Sequence, residues 1–95
     1  TPVCAAAASA LAAWVADDRR LRDDLNAPGV ANVLNALSKW PDHMMCAAAA
    51  SALAARLADE PELRKDLDPQ GVANALNAVS KWPDNAFCAA AVSAL

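Results

Sequence analysis

The sequence predicts an all-α fold, and three observations carry that prediction. Alanine supplies 27 of the 95 residues and leucine 11, and both are strong helix formers. β-branched and aromatic residues are scarce, with no Ile and no Tyr, which disfavours sheets. The whole pattern recurs every 42 residues, a period typical of helical repeat units.

Cys4, Cys46 and Cys88 lie 42 residues apart, and each opens the same phrase: CAAAASAL, CAAAASAL, CAAAVSAL. Aligning 4–45 on 46–87 without gaps gives 28 identities in 42 positions. The phrase GVAN recurs at 29–32 and 71–74, and SKWPD at 38–42 and 80–84. The organisation read from this is repeat one at 4–45, repeat two at 46–87 and the start of a truncated third at 88–95. The chain begins without Met and ends inside a recurring motif, so it reads as a piece of a longer array. The period places it with the HEAT- and armadillo-like repeats, in a right-handed α-solenoid of 42-residue, three-helix units.

The first helix of each unit is expected over 2–16 and 43–58, with Asp42 and Asp84 as N-caps after the prolines that stop the preceding helix. Small residues on every face suit it to the middle of a layer, with Cys4, Leu11 and Val15 as a stripe of bulk. The second helix is short, 19–25 and 61–67, and carries most of the charge around an i, i+4 leucine pair, Leu21/Leu25 and Leu63/Leu67. Pro61 fits its first turn, where a missing N–H costs nothing. The third helix starts at Pro28 or Pro69, capped near Asn26 or Asp68, and runs to Lys39 or Lys81. Val30, Val33, Leu34, Leu37 and Trp40 form its apolar stripe. Opposite lie Asn32, Asn35 and Lys39, matched in repeat two by Asn74, Asn77 and Lys81.

Charge and inventory exclude several function classes. A net charge of −3 argues against bulk binding to nucleic acid or an anionic membrane. The apolar run 3–16 is shorter than the roughly 20 residues of a membrane span, and its near-copies recur inside the chain, so it is structure rather than targeting. One His, no phosphate-binding loop, no HExxH and no Cys-x-x-Cys leave no catalytic constellation, and the chain is not expected to be an enzyme. No cofactor is expected. His43 and Cys46 form an H-x-x-C pair, too few ligands for zinc, and the third repeat has Asn85 in the His position. The aspartate pairs beside arginine read as a solvated, salt-bridged face.

The matched asparagines are the candidate partner-binding residues. Asn is a mediocre helix residue, so four at matched mid-helix positions are costly by propensity. Their side chains offer donors and an acceptor suited to an extended peptide backbone. Hydrogen bonding between adjacent repeats, or plain solvation, is the more economical explanation of them. Lys39 and Lys81 continue the stripe and meet either an acidic partner or the helix dipole. Trp40 and Trp82 are expected to fill the junction between successive repeats, whereas Trp14 aligns with Arg56 and is an edge residue. The cysteines, about one helix spacing apart, are too far for a disulfide and serve as small buried apolar residues.

The phrase GVANxLNAxSKWP, with Ser38-Lys39-Trp40-Pro41 and Ser80-Lys81-Trp82-Pro83 at one phase, resembles the SKWP-repeat family of bacterial type III effectors. The resemblance covers essentially all of the chain. It implies a HEAT/armadillo-like array, delivered by type III secretion into the cytoplasm of a plant host cell, with an interaction role there. The same GVANxLNAxSK segment is similar, over about a dozen residues per repeat, to organellar octotricopeptide-type RNA-binding proteins.

The expected function is therefore a protein-interaction array that binds a host protein or extended peptide along its inner face. Asn32, Asn35, Lys39, Asn74, Asn77 and Lys81 supply the polar contacts. The alternatives are an RNA-binding array and a structural spacer with no partner of its own. Each unit touches only its neighbours, so a two-repeat fragment is expected to be weakly stable or to associate end to end with another copy. No membrane association is expected.

Overall fold

The computed structural model describes residues 2–95, with side chains from Ala6 onward. Seven helices follow one another: α1 (Pro2–Asp17), α2 (Arg19–Asp24), α3 (Ala27–Leu37), α4 (Met44–Asp59), α5 (Pro61–Lys65), α6 (Pro69–Val79) and α7 (Ala86–Ala94). The described residues contain no strand, so the chain is all-α. Helices of like phase pack on one another. One layer is α1, α4 and α7, with α4 in the middle, and the other is α3 and α6.

The central place of α4 follows from its sequence. Cys46, Ala49, Ala50, Leu53, Ala54 and Leu57 are all buried, at i, i+3, i+4, i+7, i+8 and i+11. The small members let α1 and α7 approach closely, and Leu53 and Leu57 fill the space between the layers. Full burial of each leucine is worth about 1.5–3 kcal/mol. Cys46 and Cys88 are free and buried, as expected of small apolar residues, while Cys4 lies outside the described side chains.

The short charged helices are held at the corner by arginines. Arg22 donates through Nη1 to the carbonyl of Val15 at 2.9 Å and to that of Ala16. Arg64 repeats this on Leu57 at 2.7 Å and Ala58 at 2.9 Å. Each guanidinium satisfies carbonyls that the end of the first helix leaves without partners, and its charge meets the negative end of the dipole. Asp18 caps α2 by accepting from the Leu21 N–H at 3.0 Å. Glu60, in the matching position, pairs instead with Arg56 and makes no cap.

The third helices begin as expected. Asn26 Oδ1 accepts from Gly29 N at 2.9 Å, and Asp68 Oδ1 from Gly71 N at 2.6 Å. A Cβ on either glycine would stand 3.1 Å from that capping oxygen, so glycine at the third helical position lets the cap close.

Three boundary expectations need correction. The helix α5 ends at Lys65, not at Leu67. The third helices end at Leu37 and Val79, not at Lys39 and Lys81. Ser38 and Ser80 turn their hydroxyls back to donate to the carbonyls of Asn35 and Asn77, each at 2.6 Å. The next amides bond three residues back, Lys39 to Ala36 and Trp40 to Leu37, which tightens the chain out of the α-helix. The first helices are capped by His43 and Asn85, not by Asp42 and Asp84. The amides of His43 and Asn85 donate to the carbonyls of Trp40 and Trp82, which locks Pro and Asp inside a tight turn. His43 Nδ1 then accepts from Met45 N at 3.2 Å, and Asn85 Oδ1 accepts from Phe87 N at 2.9 Å and Cys88 N at 3.1 Å.

Two long-range contacts tie one unit to the next. Trp82 is buried and its Nε1–H donates to the Pro41 carbonyl at 2.9 Å, which places this tryptophan at the seam as expected. Arg56 donates to the carbonyls of Arg22 at 2.6 Å and Leu25 at 2.9 Å while pairing with Glu60 at 2.9 Å.

Candidate functional site

Ten polar side chains hold the chain together through caps, turns and carbonyl contacts. Asn26, Asp68, His43, Asn85 and Asp18 cap helices, Ser38 and Ser80 close turns, and Arg22, Arg56 and Arg64 hold carbonyls. The sequence-derived site residues stand apart. Among the described residues, the side chains of Asn32, Asn35, Asn74 and Asn77 make no hydrogen bond, and Lys39 and Lys81 make no ion pair. The inter-repeat hydrogen-bond explanation of the asparagines is therefore not realised.

The placement of the six residues follows from helical phase. On α3 the buried residues are Ala27, Val30, Ala31, Leu34 and Leu37, and on α6 they are Gly71, Ala75, Ala78 and Val79. Asn32 and Asn77 are exposed, whereas Asn35 and Asn74 are half-buried. Asn35 lies one turn from Ala31 and Ser38, which are buried while their repeat-two counterparts Ala73 and Ser80 are exposed. Asn74 lies one turn from Gly71 and Ala78, which are buried while their repeat-one counterparts Gly29 and Ala36 are not. Asn35 and Asn74 thus flank the α3–α6 seam from opposite sides, with Asn32 and Asn77 further out. Lys39 and Lys81 are exposed and sit in the turns after the helices.

A second feature is an apolar groove of about 570 Å³ on the side of α1 and α3 away from the rest of the chain. Leu11, Trp14 and Val15 of α1, Leu21 and Leu25 of the charged corner, and Val33 and Trp40 supply its bulk. Leu11 is 59% exposed and Trp14 56%. The Trp14 Nε1–H donates to Asp18 at 3.2 Å, which keeps the ring at the rim. Trp40 was expected at a junction between repeats, and it lines this groove half-buried instead. The 42-residue alignment held the signal for the groove, because every lining residue except Trp14 and Leu25 matches a buried residue of repeat two.

The titrating groups are tuned by the fold. The Leu21 amide, and then the Trp14 indole, hold the Asp18 carboxyl below its ordinary value. The Arg56 guanidinium does the same for Glu60. Burial pushes the Cys46 and Cys88 thiols up. Among the described residues no three His, Cys, Asp or Glu side chains gather as a metal site, and His43 uses Nδ1 as a cap acceptor. No described helix is long and apolar enough to cross a membrane.

Comparison with known proteins gave no match to a family model, a curated protein or a solved structure.

Proposed function

We propose that the chain is a segment of an α-solenoid, built from HEAT/armadillo-like units of 42 residues, that binds a protein partner as an extended peptide along α3 and α6. One observation supports this above the rest. Four asparagines recur at matched positions with side chains that make no hydrogen bond among the described residues, while the other two, Asn26 and Asn85, both cap helices. An amide side chain donates and accepts at once, so it satisfies both the N–H and the C=O of a peptide backbone. Lys39 and Lys81, exposed in the turns that follow α3 and α6, suit acidic residues of the same peptide. The resemblance of the SKWP phrase to type III effectors adds the setting to the proposal: secretion into a plant host cell and a host protein as the partner.

The test is peptide display against the immobilised chain, repeated with a variant carrying Ala at Asn32, Asn35, Asn74 and Asn77. Ala is the better helix former at all four places, so helicity is retained and CD checks it. The expected result is enrichment of extended peptides by the native chain and at least a tenfold loss in the variant. Equal binding by both proteins would return the asparagines to simple solvation. Salt-sensitive retention of single-stranded RNA in place of peptides would replace the proposal with an RNA-binding array.

A further inference from the structure

The apolar groove has an internal twin. Adding 42 to each lining residue maps Leu11, Trp14, Val33, Ala36 and Trp40 onto Leu53, Arg56, Ala75, Ala78 and Trp82. In repeat two this surface is closed: Leu53, Ala75 and Ala78 are fully buried and Trp82 is 9% exposed. What closes it is repeat one, through α1 on α4 and α3 on α6. The covering face of α3 is marked by Val30, Ala31 and Leu34, each at most 2% exposed. Its counterpart on α6 is uncovered, with Val72 and Leu76 half-buried and Ala73 exposed. One chain therefore carries both halves of its own internal joint, the receiving half on α3 and the donating half on α6.

We propose that these halves join in trans, so that α6 of one copy seats on α3 of a second copy in a head-to-tail contact. Val72, Ala73 and Leu76 then meet Val33, Ala36 and Trp40, as Val30, Ala31 and Leu34 meet their partners within the chain. The Trp40 indole N–H, which has no acceptor among the described residues, gains the carbonyl of Pro83 in the second copy, as Trp82 uses Pro41. The same superposition puts the incoming α1 where α7 lies. The two carry the same sequence from Cys4 and from Cys88 apart from Ala8 and Val92, and α1 continues further. The incoming α1 thus replaces α7 against α4. One contact is not reproduced: Trp14 stands where Arg56 holds two carbonyls, so this joint lacks that clamp. A head-to-tail contact leaves a free half at each end, so association does not close at a dimer.

Sedimentation velocity over a concentration series tests this with the native chain and two variants. Ala36→Arg blocks only the receiving half and Ala73→Arg only the donating half. Both alanines are exposed in a single copy, so each variant folds, which CD checks. The native chain is expected to grow beyond a dimer as concentration rises. Each variant alone stays monomeric, and their equimolar mixture forms a heterodimer and nothing larger, since one good joint remains. A native chain monomeric up to millimolar concentration overturns the proposal. So does a native chain that stops at a dimer, a mixture that stays monomeric, or association of Ala73→Arg on its own.

Discussion

Leu11 and Leu53 are the same residue at the same phase of two nearly identical helices, yet they should weigh very differently. Leu53 is 0% exposed between the two layers, and Leu11 is 59% exposed on the open groove. Truncating a fully buried leucine to alanine removes its transfer energy and leaves a cavity, about 2–5 kcal/mol together. Leu11 loses less than half of its surface to folding, and water already reaches the space it would vacate. Its truncation forfeits under about 1 kcal/mol of transfer energy and adds no cavity term. Urea unfolding followed by helical CD at low protein concentration, where self-association is absent, gives both values from the midpoints and slopes. If Leu53→Ala leaves too little folded protein, Leu53→Val against Leu11→Val keeps the comparison within reach. Equal losses at the two positions would refute the reasoning, because they would mean that the α1 face is covered in solution as the α4 face is.

Arg56→Ala should destabilise the chain by about 1.5–3 kcal/mol, since its guanidinium, 13% exposed, holds carbonyls of the preceding unit by charge-assisted hydrogen bonds; thermal unfolding checks this. Asp68→Ala should cost about 1 kcal/mol through loss of the α6 cap, read in the same way. Asp18 and Glu60 both have lowered values in the folded chain, so their contribution is present above the unfolded carboxylate range and is lost as pH falls through the folded values. A urea midpoint that holds near neutrality and falls in acid is the expected profile, and it should flatten in part when Asp18→Asn and Glu60→Gln are combined. The Cys46 and Cys88 thiols, buried and raised, should react with a thiol reagent at the rate of unfolding, and stopped-flow labelling in urea compares the two rates.

The periodic features of the fold were readable from the chain because they rest on local chemistry. Helix type, the caps at Asn26 and Asp68, and the central place of α4 follow from propensity, a short polar side chain before a glycine, and a stripe of small residues. The ends of α3 and α6 were less readable. They depend on Ser38 and Ser80 choosing a carbonyl over water, and no sequence pattern decides that choice. The capping role of His43 was hidden for a different reason: an aspartate one residue earlier is the stronger cap by type, and only the closed Pro-Asp turn removes it from the position. Trp40 and Trp82 show the limit of phase as a guide. Their sequences match over the whole SKWPD phrase, yet among the described residues only Trp82 is buried against the preceding unit. The asparagine stripe was legible as a surface, and its lack of internal hydrogen bonds needed coordinates.

The alanines of the groove have a consequence for how one motif serves two environments. The surface that α4 and α6 bury against α1 and α3 is left uncovered, one period earlier, on α1 and α3 themselves. Ala7, Ala8 and Ala36 line the groove exposed or half-buried, and their equivalents Ala49, Ala50 and Ala78 are sealed at 0% exposure. A larger side chain would suit only one of the two settings. A methyl group packs tightly when covered and exposes little apolar area when bare. Alanine at these positions therefore serves the same phase of the motif in a covered and in an uncovered setting.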